Sequence, residues 1–222
     1  MKMLMTKSVM TVAAGFLLAA LYSGSAYALS IGPVCDTCQG GIYSLTYDGT
    51  ALPDADLLTE TYRITYSIDT TGYNGGGSYL DQIAFKVSSS VSNVVIYDDN
   101  APGGAAAWSL NGAGLNANGC TGSGNGFSCW DSTISLNGGL GLAVPGGTYE
   151  WIFDVTVKNG TLFAGLEGST VKARYVDKDG YKVGNLVSEK LTKVPEPSTL
   201  LLLGSGLLAF GFVARRSRRP KT

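Results

Sequence analysis

Strict alternation of apolar and polar side chains is the feature that most narrows what this chain can fold into. Over residues 149–157, Tyr149, Trp151, Phe153, Val155 and Val157 share one face, with Glu150, Asp154 and Thr156 opposite and Ile152 the exception. Over residues 60–68, Tyr62, Ile64, Tyr66 and Ile68 alternate with Thr61, Arg63, Thr65 and Ser67. Successive side chains of a strand point to opposite faces, so a period of two marks half-buried strands, not helices of period 3.6. Residues 41–47, 79–87, 93–97, 132–136, 170–176 and 186–191 are further candidate strands. Asn159-Gly160 ahead of Leu162-Phe163 predicts a two-residue hairpin, and residues 177–180 predict another turn. The glycine run 72–77 has no lysine after it to hold a phosphate and reads as a hairpin tip. No amphipathic helix is evident between these stretches. The expected fold is all-β, an antiparallel β-sandwich or jelly roll over residues 29–193.

Residues 100–147 differ from the rest, with 13 glycines among 48 residues. The apolar mass there is too small for a continuous run of strands. Long loops with one or two short strands are expected, stapled by cysteines, and long structured loops are common binding elements. Trp108 and Trp130 lie in this region. Exposed indoles stack on sugars, which makes both candidate glycan contacts. Trp130 follows Cys129 directly, however, and a tryptophan packed on a disulfide inside a core fits the same pattern.

The two ends read as handling segments. Residues 1–28 begin with Lys2 and Lys7, continue with an apolar stretch over 9–21 and close with Ala26-Tyr27-Ala28. That order is a secretory signal peptide, with signal peptidase expected to cut after Ala28. The apolar stretch is short of the roughly 20 residues a membrane span needs. Residues 29–194 then carry nine basic and sixteen acidic side chains, net −7, against −1 for the whole chain. An acidic domain of this kind does not suit nucleic acid, whose phosphates need basic residues. Cys35, Cys38, Cys120 and Cys129 all fall in the exported part, where disulfides persist. Four cysteines allow three pairings, and the sequence-local one, Cys35 with Cys38 and Cys120 with Cys129, is the expected one. A redox motif or a zinc site is the alternative. The flanking Gly32-Pro33 and Gly40-Gly41 disfavour the helix a redox motif opens, and the eight residues between Cys120 and Cys129 exceed usual zinc spacing.

The chain contains no histidine, so no Ser-His-Asp or Cys-His catalysis and no histidine-ligated metal can be built. No phosphate-binding loop and no G-x-S-x-G nucleophile elbow is present. Glu150 and Asp154 share a strand face and form the one carboxylate pair worth weighing for glycoside hydrolysis, although a solvated face explains them equally. Asp98 and Asp99, followed by Asn100, are weak candidates for Ca²⁺, which prefers oxygen ligands. Asp177-Lys178-Asp179-Gly180 has the wrong register for an EF-hand and reads as a turn. No catalytic residue, metal or other cofactor is expected.

The C-terminal end has three parts. Val194-Pro195-Glu196-Pro197 is held extended by two prolines that cannot join a ladder or helix. Residues 199–214 carry no charge and would span about 24 Å as a helix, marginal for a bilayer core of about 30 Å. Arg215, Arg216, Arg218 and Arg219 then form a basic stop that stays cytoplasmic by the positive-inside rule. Residues 194–219 closely resemble the PEP-CTERM sorting tail, a segment also known as an ice-binding-protein C-terminal region. The resemblance implies an exosortase-like membrane protease that processes the protein near the Pro-Glu-Pro motif. It also implies a Gram-negative bacterium that makes exopolysaccharide, with a transient C-terminal anchor and final residence at the outer surface or in the biofilm matrix. The expected product is an exported, non-enzymatic structural or adhesive component. The alternatives are a carbohydrate-binding module and a carboxylate-dependent glycoside hydrolase. The expected partners are signal peptidase, the exosortase and extracellular polysaccharide, and not nucleic acid.

Overall fold

The computed structural model describes residues 27–53, 56–97, 99–111, 114–124, 126–136, 139–163, 170–194 and 206. The strands in chain order are β1 (Tyr27–Ile31), β2 (Ile42–Tyr47), β3 (Ala51–Leu52), β4 (Thr59–Asp69), β5 (Tyr79–Lys86) and β6 (Val91–Ile96). There follow β7 (Trp108–Asn111), β8 (Gly114–Asn116), β9 (Gly119–Gly122), β10 (Phe127–Ser132), β11 (Ser135–Leu136), β12 (Gly139–Leu140) and β13 (Leu142–Ala143). The last are β14 (Thr148–Lys158), β15 (Thr170–Val176), β16 (Val187–Lys190) and β17 (Thr192–Lys193). One sheet has the order β17-β1-β2-β4-β14-β6, with β3 also on β4; the other has the order β16-β15-β5-β10-β7, with β13 also on β5. All pairings are antiparallel.

The alternating stretches become the centre of the sandwich. Ile64, Tyr66 and Ile68 of β4 and Trp151, Phe153, Val155 and Val157 of β14 are buried, as the period of two requires. They meet Leu80, Ile83 and Phe85 of β5 and Val171, Ala173 and Tyr175 of β15 from the facing sheet. Aromatic rings fill much of the space between. Phe85 and Phe153 lie 4.8 Å apart, and Trp151 stands edge-on to Trp108 at 5.1 Å. The buried Tyr43 and Tyr175 hydroxyls bond each other at 2.7 Å across the two sheets.

Two expectations about the middle of the chain need correction. Residues 100–147 are not mostly loops, because β7 to β13 all lie there and β10 sits between β5 and β7 inside a sheet. Apolar mass is a poor guide here because the outer face of β10 is covered locally: Cys129 and Ala84 pack with Leu115 and Cys120 of the β8–β9 ribbon. Asn159-Gly160 is a turn, with Gly160 at φ 69°, but it does not open a hairpin. Leu162 and Phe163 continue as turn, and the Phe163 N–H donates to the Val87 carbonyl at 2.8 Å.

The register defines two ends of the sandwich. At one end β4 begins at Thr59, opposite Lys158 of β14, and the Asn159 N–H donates to the Leu58 carbonyl at 3.1 Å. β1 starts on the side of this end, since Tyr27 pairs with Tyr47, and β17 runs antiparallel to β1, so the chain leaves Val194 toward the same end. The opposite end holds the 32–41 connection, the Thr70–Gly147 contact and the turn from Asp177 to Tyr181. Among the described residues no helix is long and apolar enough to cross a membrane. Of residues 199–214, Gly206 is described, and it is helical.

Candidate functional site

The edge where the first and last strands meet is the first candidate. β17 pairs with β1 through Leu29 with Lys193 and Ser30 with Thr192, and the Val194 N–H extends the ladder by donating to the Ala28 carbonyl at 2.9 Å. β1 begins at Tyr27, so the ladder with β2 includes Tyr27 and Ala28, the last two residues ahead of the expected signal-peptidase cut. Val194 is 39% exposed. Pro195, Glu196 and Pro197 lie outside the described residues, as do Arg215, Arg216, Arg218 and Arg219.

The four cysteines form the two sequence-local disulfides, Cys35–Cys38 and Cys120–Cys129. The first closes the β1–β2 connection at the end of the sandwich away from the termini. The second ties the β8–β9 ribbon to β10. The two indoles singled out as glycan contacts are both internal. Trp108 is 4% exposed and Trp130 5%, with Trp130 tilted against Phe153 at 5.2 Å. Inward-facing positions on β7 and β10 put these rings into the core, so neither offers a face to a sugar.

An open cleft of about 400 Å³ lies where the start of the 99–102 segment meets the start of β14. Asp99, Asn100, Pro102, Tyr149 and Glu150 are among its lining residues. The Tyr149 hydroxyl donates to the Ala143 carbonyl at 2.7 Å, which fixes that side chain. Asp99 and Glu150 are exposed. Asp98, the other Ca²⁺ candidate, lies outside the described residues, and among the described residues no group of three or more metal-ligating side chains comes together. Asp154 does not join Glu150 as a pair. Its carboxylate is held by Arg63 through Nε at 2.9 Å and Nη2 at 3.1 Å, and the Arg63 guanidinium lies over the Tyr97 ring at 3.2 Å. Asp177 closes a turn by accepting from the N–H groups of Asp179 and Tyr181, both at 2.9 Å.

A polar network that sequence reasoning missed crosses the second sheet. Gln82 of β5 donates to Asp131 of β10 and accepts from Arg174 Nη1 of β15 at 2.9 Å, while Asn111 of β7 donates to the other oxygen of Asp131. Gly119 allows the covering ribbon to approach, since a Cβ there would lie 2.9 Å from Gln82 Nε2 and 3.0 Å from Arg174 Nη1. Asp81 sits at the β5 bulge opposite Arg174 and Tyr175, 8% exposed, with Arg174 Nη2 3.4 Å from Oδ2. Its Oδ1 has no hydrogen-bond partner, nor does Arg174 Nε. Burial pushes the Asp81 carboxyl from an ordinary 3.8 up to about 7, outweighing the neighbouring guanidinium. The signal in sequence was one acidic residue inside an apolar run, which period-two reading passes over when a bulge shifts the face.

The shift has a definite sign. A carboxyl whose folded value is raised favours the folded state most below its unfolded value, and that contribution is lost as pH rises toward about 7. Stability is therefore expected to fall between about pH 4 and pH 7, and no histidine competes in that window. Asp81→Asn is expected to flatten the dependence, read from urea midpoints at the two pH values. Equal pH dependence in the two proteins would contradict the assignment.

Residues 193–219 match the family described as PEP-CTERM protein-sorting motif. No curated protein and no solved structure matches the chain. The motif marks an exported protein with a transient C-terminal membrane anchor, processed by an exosortase, which is a membrane protein. It begins at Lys193, the last residue of β17.

Proposed function

We propose that the chain is secreted by its N-terminal signal, sorted through its tail, and left at the outer surface or in the extracellular matrix as a non-enzymatic structural or adhesive component of exopolysaccharide or biofilm. The observation that carries this reading is the hand-over at Lys193. The last strand, β17, ends at Lys193, where the sorting motif begins, so removing the tail beyond the 194–197 motif costs the sandwich no strand. Two disulfides and an aromatic core suit a domain that must persist outside the cell. The test is fractionation of the producing bacterium. The protein is expected in the matrix fraction and released when the polysaccharide is enzymatically degraded. Recovery as a freely soluble periplasmic protein would contradict the proposal.

The cleft supports a second reading, that the domain binds carbohydrate. It is open and polar, with Tyr149 among its lining residues, features that suit a sugar chain lying along a surface. Binding fits this geometry better than hydrolysis. A glycosidase needs one desolvated carboxyl as general acid, and Asp99 and Glu150 are both exposed. Polysaccharide binding that is lost in Tyr149→Ala would favour this reading.

A further inference from the structure

The loop ahead of β4 carries the most exposed adjacent pair of large apolar side chains among the described residues, Leu57 at 89% and Leu58 at 75%. Residues 56–58 are held by hydrogen bonds. Asp56 Oδ1 accepts from the Leu58 N–H at 2.9 Å, and Asn159 Nδ2 donates to the Leu57 carbonyl at 2.7 Å. It stands at the end of the sandwich toward which Val194 leaves the fold. Ala28, bonded to Val194, pairs with Thr46, and Thr46 pairs with Thr65 of β4. Leu58 lies seven residues further along that strand direction, an overhang of about 23 Å at the usual strand rise. The uncharged run that enters the membrane begins at Thr199, five residues after Val194, so the tether reaches at most about 18 Å when fully extended. The tether is shorter than the overhang. A domain standing on this tail therefore pushes its leucine loop to the membrane surface.

We infer that Leu57 and Leu58 seat in the phospholipid interface of the cytoplasmic membrane, on its outer face, for as long as the C-terminal run remains attached. This rests on the anchor reading of residues 199–214. Lys158, opposite Thr59, is exposed at the same end and suits anionic headgroups. The leucines bury apolar surface in the acyl boundary, as interfacial anchors do. The contact ends when the tail is removed, because two leucines alone hold a domain on lipid only weakly. The loop thus sets how the sorting motif is presented, flat against the membrane where a membrane-embedded protease works.

The test uses the full chain in vesicles of phosphatidylethanolamine and phosphatidylglycerol. The described cysteines are all in disulfides, so Leu58→Cys supplies one thiol for an environment-sensitive probe. Tyr181→Cys, 73% exposed at the opposite end, is the control. The probe at 58 is expected to shift to the blue and to be quenched several-fold more by brominated lipid than the probe at 181, and Leu57→Asp should cut that quenching at least twofold. Equal quenching at 58 and 181 in protein that floats with the vesicles would overturn the inference and leave the anchor standing. Protein that does not float with the vesicles would refute the anchor, and the inference with it.

Discussion

Trp151→Ala is expected to lower the unfolding free energy by about 3–5 kcal/mol, the range for removing a large aromatic side chain from a packed core. Trp151 is fully buried on β14, between β4 and β6, with Tyr66 at 5.8 Å and Trp108 at 5.1 Å. Its removal leaves a hole that neither rigid sheet can close. Against a typical total of about 5–15 kcal/mol, such a loss unfolds a substantial fraction of the protein. Trp151→Phe separates packing from polarity. The indole Nε1 is buried without a partner, so phenylalanine deletes an unsatisfied donor while keeping most of the ring. Its cost is expected to be about 1 kcal/mol. Urea unfolding with disulfides intact reads both. An alanine variant as stable as the parent would mean that Trp151 is not the centre of the core.

Replacing Pro195, Glu196 and Pro197 together with alanine is expected to convert nearly all of the protein from a released to a membrane-retained form. The two prolines lack an N–H and keep the segment extended, which is how a protease takes its substrate, whereas three alanines favour continuing the apolar run as helix. The exosortase would then lose the motif that marks the chain. Stability offers the control. The last ladder pair, Lys193 with Leu29, lies ahead of the substituted residues, so the urea midpoint of the sandwich should not move. Membrane fractionation of cells carrying the exosortase reads the sorting. Unchanged release would mean that something other than Pro-Glu-Pro directs processing.

The elements legible in sequence were those whose two faces see different solvents. β4 and β14 alternate because one face packs inward and the other is partly wet, and their period predicted the inward face, on which Tyr62 and Tyr149 are half-buried. β15 coincides with the expected strand 170–176. β10 was hidden because both of its faces are covered, one by the core and one by the ribbon that Cys120–Cys129 holds down, which erases the alternation. β1 was hidden for another reason. Its first two residues belong, in sequence, to the signal that is to be cut away, and only the pairing of Ala28 with Thr46 shows that they lie in the sheet. The disulfides were legible from spacing. The glycan contacts were not, because a tryptophan among glycines looks exposed until the strands on either side are seen to turn it inward. The tail was legible without any structure, since chain physics marks an extended motif, an uncharged run and an arginine cluster, and the resemblance to the PEP-CTERM tail joins them into a sorting signal.

The intact mass of the native protein, taken with its cell fraction and with alkylation before and after reduction, tests the central claim most directly. The account predicts a chain lacking the residues before Leu29 and the tail beyond the 194–197 motif, outside the cytoplasmic membrane, with thiols that block only after reduction. A native chain that keeps residues 198–222 in the cytoplasmic membrane would contradict sorting and leave a permanent C-terminal anchor in its place.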